Sequence, residues 1–160
     1  MDILLDKFHD LAPWILGALL IAAAGCDARS YLIPNRLGVL IVFTFIAYGL
    51  TGTDDVDFTG SAAVALAVLV VGAAMFAAEL IGGGDVKLMT AIALWAGPGY
   101  VLPFLLIMAM AGGILSLGVL LRPRLAALAG RISATANHRV PYGVAIAAGG
   151  LFVAGRLAGF

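Results

Sequence analysis
Cysteine is almost missing from this chain. Cys26 stands alone among 160 residues, so the sequence allows neither an intramolecular disulfide nor a cysteine-based zinc site. Histidine is nearly as scarce, and neither His9 nor His138 has a second ligand at metal-binding spacing. No metal and no other cofactor is expected. Charge is scarce too: charged residues make up 11% of the chain, against ~25% in an ordinary soluble domain. Formal net charge is zero, so no basic balance calls for a nucleic-acid partner, and only the placement of charge along the chain is informative. Residues 1 to 10 carry Asp2, Asp6 and Asp10 against Lys7, not the basic region with which a cleavable signal peptide opens.

What fills the chain instead is apolar. Hydrophobic residues make up 63% of it and the mean hydropathy is +1.12, which identifies an integral membrane protein of the all-α class. Residues 1–160 suit a single membrane domain with no separate soluble domain beside it. The apolar runs are Leu11 to Gly25, Leu37 to Leu50, Thr59 to Ile81, Val86 to Ala96, Val101 to Leu121 and Pro141 to Leu157. They predict a polytopic bundle of about six transmembrane segments, the fourth of them short for a crossing of ~20 residues. Polar breaks separate them: Asp27 to Arg36 with Pro34, the acidic turn Thr51 to Asp57, Gly97-Pro98-Gly99, and a basic linker from Arg122 to Arg139. Trp14, Trp95 and Tyr100 fit interfacial aromatic belts, and Tyr142 fits a belt better than the alternative place lining a site.

With the amino terminus outside the cytoplasm, six crossings place Arg29, Arg36, Lys87, Arg122, Arg124, Arg131 and Arg139 on the cytoplasmic side. That is seven of the nine basic residues, as expected from the excess of Lys and Arg in short cytoplasmic loops.

Within this frame one stretch needs a reason: Ile81-Gly82-Gly83-Gly84-Asp85-Val86-Lys87-Leu88. An aspartate at the centre of a membrane helix costs about 2.5–3.5 kcal/mol on insertion scales and marks a functional site by default. Consecutive glycines disfavour helix by roughly 1 kcal/mol each relative to alanine, which predicts a backbone break here. Such a break is tolerated at membrane depth only where it is buried in protein or lines a cavity. Two crossings separate Asp85 from Asp27. The two carboxylates therefore emerge at one membrane face, each at or just beyond a helix end. Carboxylates brought close cannot both ionise cheaply, so the pair would supply a general base and a general acid. This is aspartyl protease chemistry, with water activated directly and without a covalent intermediate.

At this point the sequence resembles the type IV prepilin peptidases among the GxGD membrane aspartyl proteases. Asp27 followed by Ile33-Pro34-Asn35 is similar to their first motif, and Gly82-Gly83-Gly84-Asp85-Val86-Lys87-Leu88 to their G-x-G-D-x-K-L motif. Pro141-Tyr142-Gly143 is similar to a late P-[FY]-G element. The resemblance implies Asp27 and Asp85 as the catalytic pair, with Ile33, Pro34, Asn35, Gly82, Gly84, Lys87, Pro141 and Gly143 shaping the site. It implies prepilin or pseudopilin substrates, a lipid bilayer as surroundings, the bacterial inner membrane as location and a cut at the cytoplasmic face. The leader removed would be basic and end in glycine, ahead of an apolar helix. Longer members carry two C-x-x-C pairs associated with zinc and N-methylation, which this chain lacks. It looks like the short CpaA/TadV-type branch that serves Flp (Tad) pili, with the archaeal preflagellin peptidases as a neighbouring short branch.

Other readings stand beside these. Arg29 and Lys87 each follow an aspartate by two residues, a spacing that does not share a helical face, and so fit topology anchors better than catalytic partners. Arg29 and Glu79 are possible modulators, Glu79 through the pair or through a basic leader, although a residue near a helix end also snorkels to the interface. A small proton-coupled transporter could use Asp27, Asp85 and Glu79 as a relay. Transporters tend to show repeated halves with corresponding broken helices, and this chain breaks only once in that manner.

Overall fold
The computed structural model describes residues 2–51, 56–128 and 140–160. The stretch 52–55 with Asp54 and Asp55, and residues 129–139 with Arg131, His138 and Arg139, lie outside the described residues. Among the described residues there are five helices and no strand: α1 (Asp2–Ser30), α2 (Asn35–Leu50), α3 (Phe58–Ala77), α4 (Gly83–Leu128) and α5 (Tyr142–Leu157). Lys7–Ser30, Phe58–Ala77 and Gly83–Leu121 are long and apolar enough to cross a membrane, while α2 and α5 are shorter apolar helices.

The fourth helix is two rods. Its backbone leaves helical geometry at Gly97, where φ is 51° and ψ is −168°, a conformation open to glycine and strained for any side chain. Pro98 then stands at the first position of the second arm, where a missing N–H is harmless and its fixed φ suits a helix start. The arms fold back on each other. Asp85 and Met89 of the first arm line one cavity with Met108, Gly112 and Ser116 of the second, so the Gly97 turn ends one side of the bundle and Asp85 lies at the other. The second arm runs on through Leu128, so the first part of the stretch expected as a linker from Arg122 to Arg139 is helical instead. Leu125 to Leu128 are good helix formers, and the helix carries on past Pro123 to reach them.

Burial follows stripes at helical spacing. Ala12, Leu16, Leu20 and Ala23 of α1 are fully buried, and Leu88, Ile92 and Trp95 continue the core along the first arm of α4. The second arm is inverted: Leu102, Leu106, Met110, Ile114 and Leu117 each expose more than half their surface, the face a membrane helix turns to lipid. Between these layers α5 packs against both α1 and α4. Its buried face is built from small residues, including Ala145, Ala147, Gly149 and Ala154, which let helix backbones approach closely where lipid offers no hydrophobic drive to association.

Trp95 is a correction. Expected in an interfacial belt, it is 4% exposed, and its indole N–H donates to the Ile41 carbonyl at 3.1 Å. Phe45 meets its ring edge-on at 5.6 Å and Tyr48 lies tilted at 5.1 Å. A backbone acceptor from α2 satisfies the polar atom, which lets the rest of the ring join the core. Trp14 keeps the exposed position expected of it. Asp57, at the end of the acidic turn, caps α3 by accepting the Gly60 N–H at 2.8 Å.

The Gly97 turn can be tested by stability alone. Gly97→Ala would hold an L-residue at φ 51° and set its Cβ 3.1 Å from Ser61 Oγ, and is expected to destabilise the protein by about 1–3 kcal/mol. Gly118→Ala, whose Cβ meets nothing within 4 Å, should be neutral or up to about 1 kcal/mol stabilising. Unfolding midpoints in detergent micelles check both; equal midpoints would mean that Gly97 is not the hinge described.

Candidate active site
Asp27 sits inward because the α1 stripe puts it there. Ala12, Leu16, Leu20 and Ala23 fall on one face, and Asp27, one turn beyond Ala23, continues that face to a position 5% exposed. A carboxylate so placed requires partners. Pro141 opens α5 without a side-chain cap, so the first N–H groups of that helix lack intrahelical acceptors. Asp27 fills the vacancy from another helix: its Oδ2 accepts the Gly143 N–H at 2.7 Å, and the Val144 N–H also points to it. Gly143 is required for this approach. A Cβ there would lie 2.8 Å from Asp27 Oδ2 and 2.8 Å from Ile33 Cδ1.

Asp85 occupies the matching place on α4. It stands in the first turn, at the head of the Leu88, Ile92 and Trp95 stripe, and the Gly82 N–H points at its carboxylate, as in a capping box. Of the three glycines expected to break the backbone, Gly82 does lie outside the helices, whereas Gly83 and Gly84 are already helical. The break lies just before them, where Glu79 takes φ 59°. Leu80 N–H bonds Met75 O at 3.0 Å and Glu79 N–H bonds Phe76 O at 2.9 Å, the paired closure of a left-handed helix end that glycine usually occupies. α5 ends in the same pattern with Gly159 at φ 90°. At the cavity a glutamate holds that conformation instead.

Both carboxylates line one cavity of about 850 Å³ and interact electrostatically. Ile33, Asn35, Gly82, Gly84 and Glu79 line it as well. Ile33 joins the three motifs: a Cβ on Gly84 would touch its Cβ at 3.6 Å, and its Cδ1 abuts Gly143. Lys87 faces away from this cavity, into a neighbouring apolar groove, and donates to Asn35 Oδ1 at 3.0 Å. That bond ties the first motif to the second. Pro34 and Pro141 are the residues from which α2 and α5 start. Arg29 is exposed in the last turn of α1 and does not line the cavity. Tyr142, read as a belt residue, lines the cavity because the bond to Asp27 brings the start of α5 to it. Tyr31, Leu32, Leu80 and Val140 also line it without having been anticipated. Tyr31 takes φ 53°, and no composition or spacing marks it in advance. Among the described residues no cluster of His, Cys, Asp and Glu could hold a metal ion.

The arrangement brings two carboxylates, each held by backbone N–H groups at a helix start, to one open cavity at one end of an apolar bundle. No curated protein and no solved structure matches the chain. The model of the type IV leader peptidase family matches residues 14–117, a stretch that contains Asp27, the Ile33-Pro34-Asn35 turn and Asp85 and ends before α5. The chain belongs to the type IV leader peptidase family, a family of proteases, and its apolar helices make it an integral membrane protein.

Proposed function
We propose that the chain is an aspartyl endopeptidase that removes the basic leader from type IV prepilins of the Flp/Tad kind, with Asp27 and Asp85 activating water. The observation that carries this reading is the convergence of the two carboxylates, from α1 and α4, on one cavity in a chain of this family. In the reaction one carboxylate takes a proton from water as its oxygen bonds to the scissile carbonyl carbon, while the other protonates the carbonyl oxygen. Collapse of the tetrahedral intermediate breaks the C–N bond. The departing amine takes up a proton, and the elements of one water end up on the two products. The resting proton belongs to the pair and is assigned to neither residue.

The cut is proposed at the cytoplasmic face of the bacterial inner membrane. Arg29, Arg36 and Lys87 lie near the end of the bundle that holds the carboxylates, which supports that orientation. Six crossings follow if the arms of α4 cross separately, with the amino terminus outside.

Asparagine is nearly isosteric with aspartate but cannot exchange a proton at neutral pH. Asp27→Asn and Asp85→Asn are each expected to lower leader removal more than about 100-fold, and the double variant hardly further, because the pair acts as a unit. Co-expression with a Flp-type prepilin and mass measurement of the product reads this. Parental processing by either well-expressed single variant would replace the dyad mechanism with a proton-relay function for the same carboxylates.

The Gly143 contact makes a separate demand. Gly143→Ala should displace the Asp27 carboxylate and cut processing at least about tenfold, given that small misplacements of reacting groups carry large rate losses. Gly155→Ala on the same helix, with nothing within 4 Å of its Cβ, should process at the parental rate. Equal rates in the two variants would show that the position of Asp27 does not depend on the α5 backbone.

Glu79 is a third test, because its exposed carboxylate lines the cavity at a strained position. Glu79→Gln and Glu79→Gly should both raise KM for a leader rich in Lys and Arg by about three- to tenfold. Only Glu79→Gly should also gain up to about 1 kcal/mol of stability, by relieving the left-handed backbone. An unchanged KM in both would leave Glu79 as an interfacial residue with no part in substrate binding.

A further inference from the structure
α2 and α3 both pack on α4, but between themselves they meet at the rings of Phe45 and Phe58. Toward the carboxylate end they part, and the gap is a groove of about 500 Å³ with the first arm of α4 as its floor. Gly38, Val42 and Phe43 of α2 form one bank, Leu69 of α3 the other, and Ala91 lies at the bottom. The Thr90 hydroxyl there is committed to the Val86 carbonyl at 2.8 Å. The other polar side chains of the lining gather at one end, where Asn35 and Lys87 stand, and none of the lining residues is acidic. The Lys87 ammonium carries three donors, of which Asn35 Oδ1 takes one at 3.0 Å. Arg36, exposed beside Asn35, adds a second positive charge. α2 starts from Pro34 without a side-chain cap, so its first N–H groups are open to an anion as well.

We infer that this groove binds one bilayer phospholipid, with an acyl chain between α2 and α3 and the phosphate at Lys87 and the start of α2. Charge, depth and width all select this occupant. A basic end without any carboxylate complements a phosphodiester. From Asn35 to Phe43 the lining follows α2 for about 12 Å at 1.5 Å per residue, close to the ~15 Å that one leaflet contributes to the hydrocarbon core. A chain whose headgroup sits at Lys87 therefore runs along the groove through most of that leaflet. One turn of an α-helix by itself takes up roughly 400–600 Å³, as much as the whole groove, so a crossing helix of another chain does not fit. Elsewhere lipid slides over an apolar surface; here a recess and a cation fix one molecule in place. The bound chain braces α2 against α3 where the two lack direct packing, and so supports the turn that carries Asn35.

The test uses the full-length protein in detergent micelles and two probes with identical acyl chains: palmitoyl-oleoyl phosphatidylethanolamine, and palmitoyl-oleoyl glycerol, which lacks the phosphate. Native mass spectrometry reads the fraction of protein that keeps one probe molecule. The parent should retain the phospholipid at least about tenfold better than the diacylglycerol. Gly38→Phe, at a position where a Cβ meets nothing within 4 Å, puts a ring into the groove and should cut phospholipid retention about tenfold. Gly118→Phe, equally unobstructed on the second arm of α4, should retain the phospholipid as the parent does. Lys87→Gln should bring the two probes to within about threefold of each other. Where Gly38→Phe does not fold, that ratio decides, because the amount of folded protein leaves it unchanged. Equal retention in Gly38→Phe and Gly118→Phe, no preference for the phospholipid in the parent, or a parental preference in Lys87→Gln would each overturn the inference. So would a parental dimer that Gly38→Phe dissociates, since the occupant would then be a second copy of the chain.

Discussion

The bond from Gly143 N–H to the Asp27 carboxylate is the interaction on which the rest of the site depends. It spans 116 residues of sequence and is buried, and it answers two needs at once. A helix that starts from proline has no side chain to cap its first N–H groups, and a carboxylate carried inward by an apolar stripe is largely withdrawn from solvent. Each is costly alone, and together they satisfy each other. The bond sets how far α1 and α5 can slide past one another, and it brings Tyr142 and Val140 to the cavity wall. It also explains why the position at the start of α5 is glycine: any Cβ there would occupy the space of the carboxylate and of Ile33.

Away from this end the packing obeys the bilayer. The second arm of α4 turns large apolar residues outward, where lipid solvates them as well as protein would, and the interior is assembled from small residues of α5. Association under these conditions relies on close contact, because burying apolar surface against protein gains little over lipid. Two polar side chains find partners across helices. Trp95 reaches the Ile41 carbonyl, and Lys87 reaches Asn35. The second of these explains a residue that spacing alone made look like a topology anchor: the lysine two residues beyond Asp85 holds the turn that follows Asp27.

Much of this was legible in the chain. The apolar runs, their polar breaks and the even number of crossings between the two aspartates led to an all-α membrane bundle with both carboxylates at one end, because hydropathy and parity act over whole segments. Local conformation was harder. Gly82 to Gly84 suggested a broken backbone, since glycine disfavours helix in isolation; Gly82 does lie in the break, yet packing of Gly84 on Ile33 and of Gly83 on Phe76 carries the helix through the other two. The left-handed residue of the break is Glu79, where no propensity scale would put one. Trp95 was misplaced for a similar reason: hydropathy does not reveal that a carbonyl from α2 waits for its N–H. Tyr31 and Val140 carry no chemical mark and reach the cavity only through the ends of α1 and α5.

The glycine motif then acquires a different physical meaning. With helix running through Gly83 and Gly84, the glycines serve as thin walls. They let the first turn of α4 lie against the Ile33 turn on one side and the Phe76 ring on the other, which brings Asp85 within electrostatic reach of Asp27. Both carboxylates end at helix starts, where fixed N–H groups hold them and the helix dipole favours negative charge. Bringing two carboxylates toward one cavity is costly whenever both ionise, so packing must hold them together, and the buried stripes leading to each aspartate are placed to do so. A hydrolase of the proposed kind benefits from that arrangement. Carboxylates already held in position need not reorganise when a peptide bond arrives, and preorganised polar groups are where most of an enzyme's stabilisation of a transition state is found.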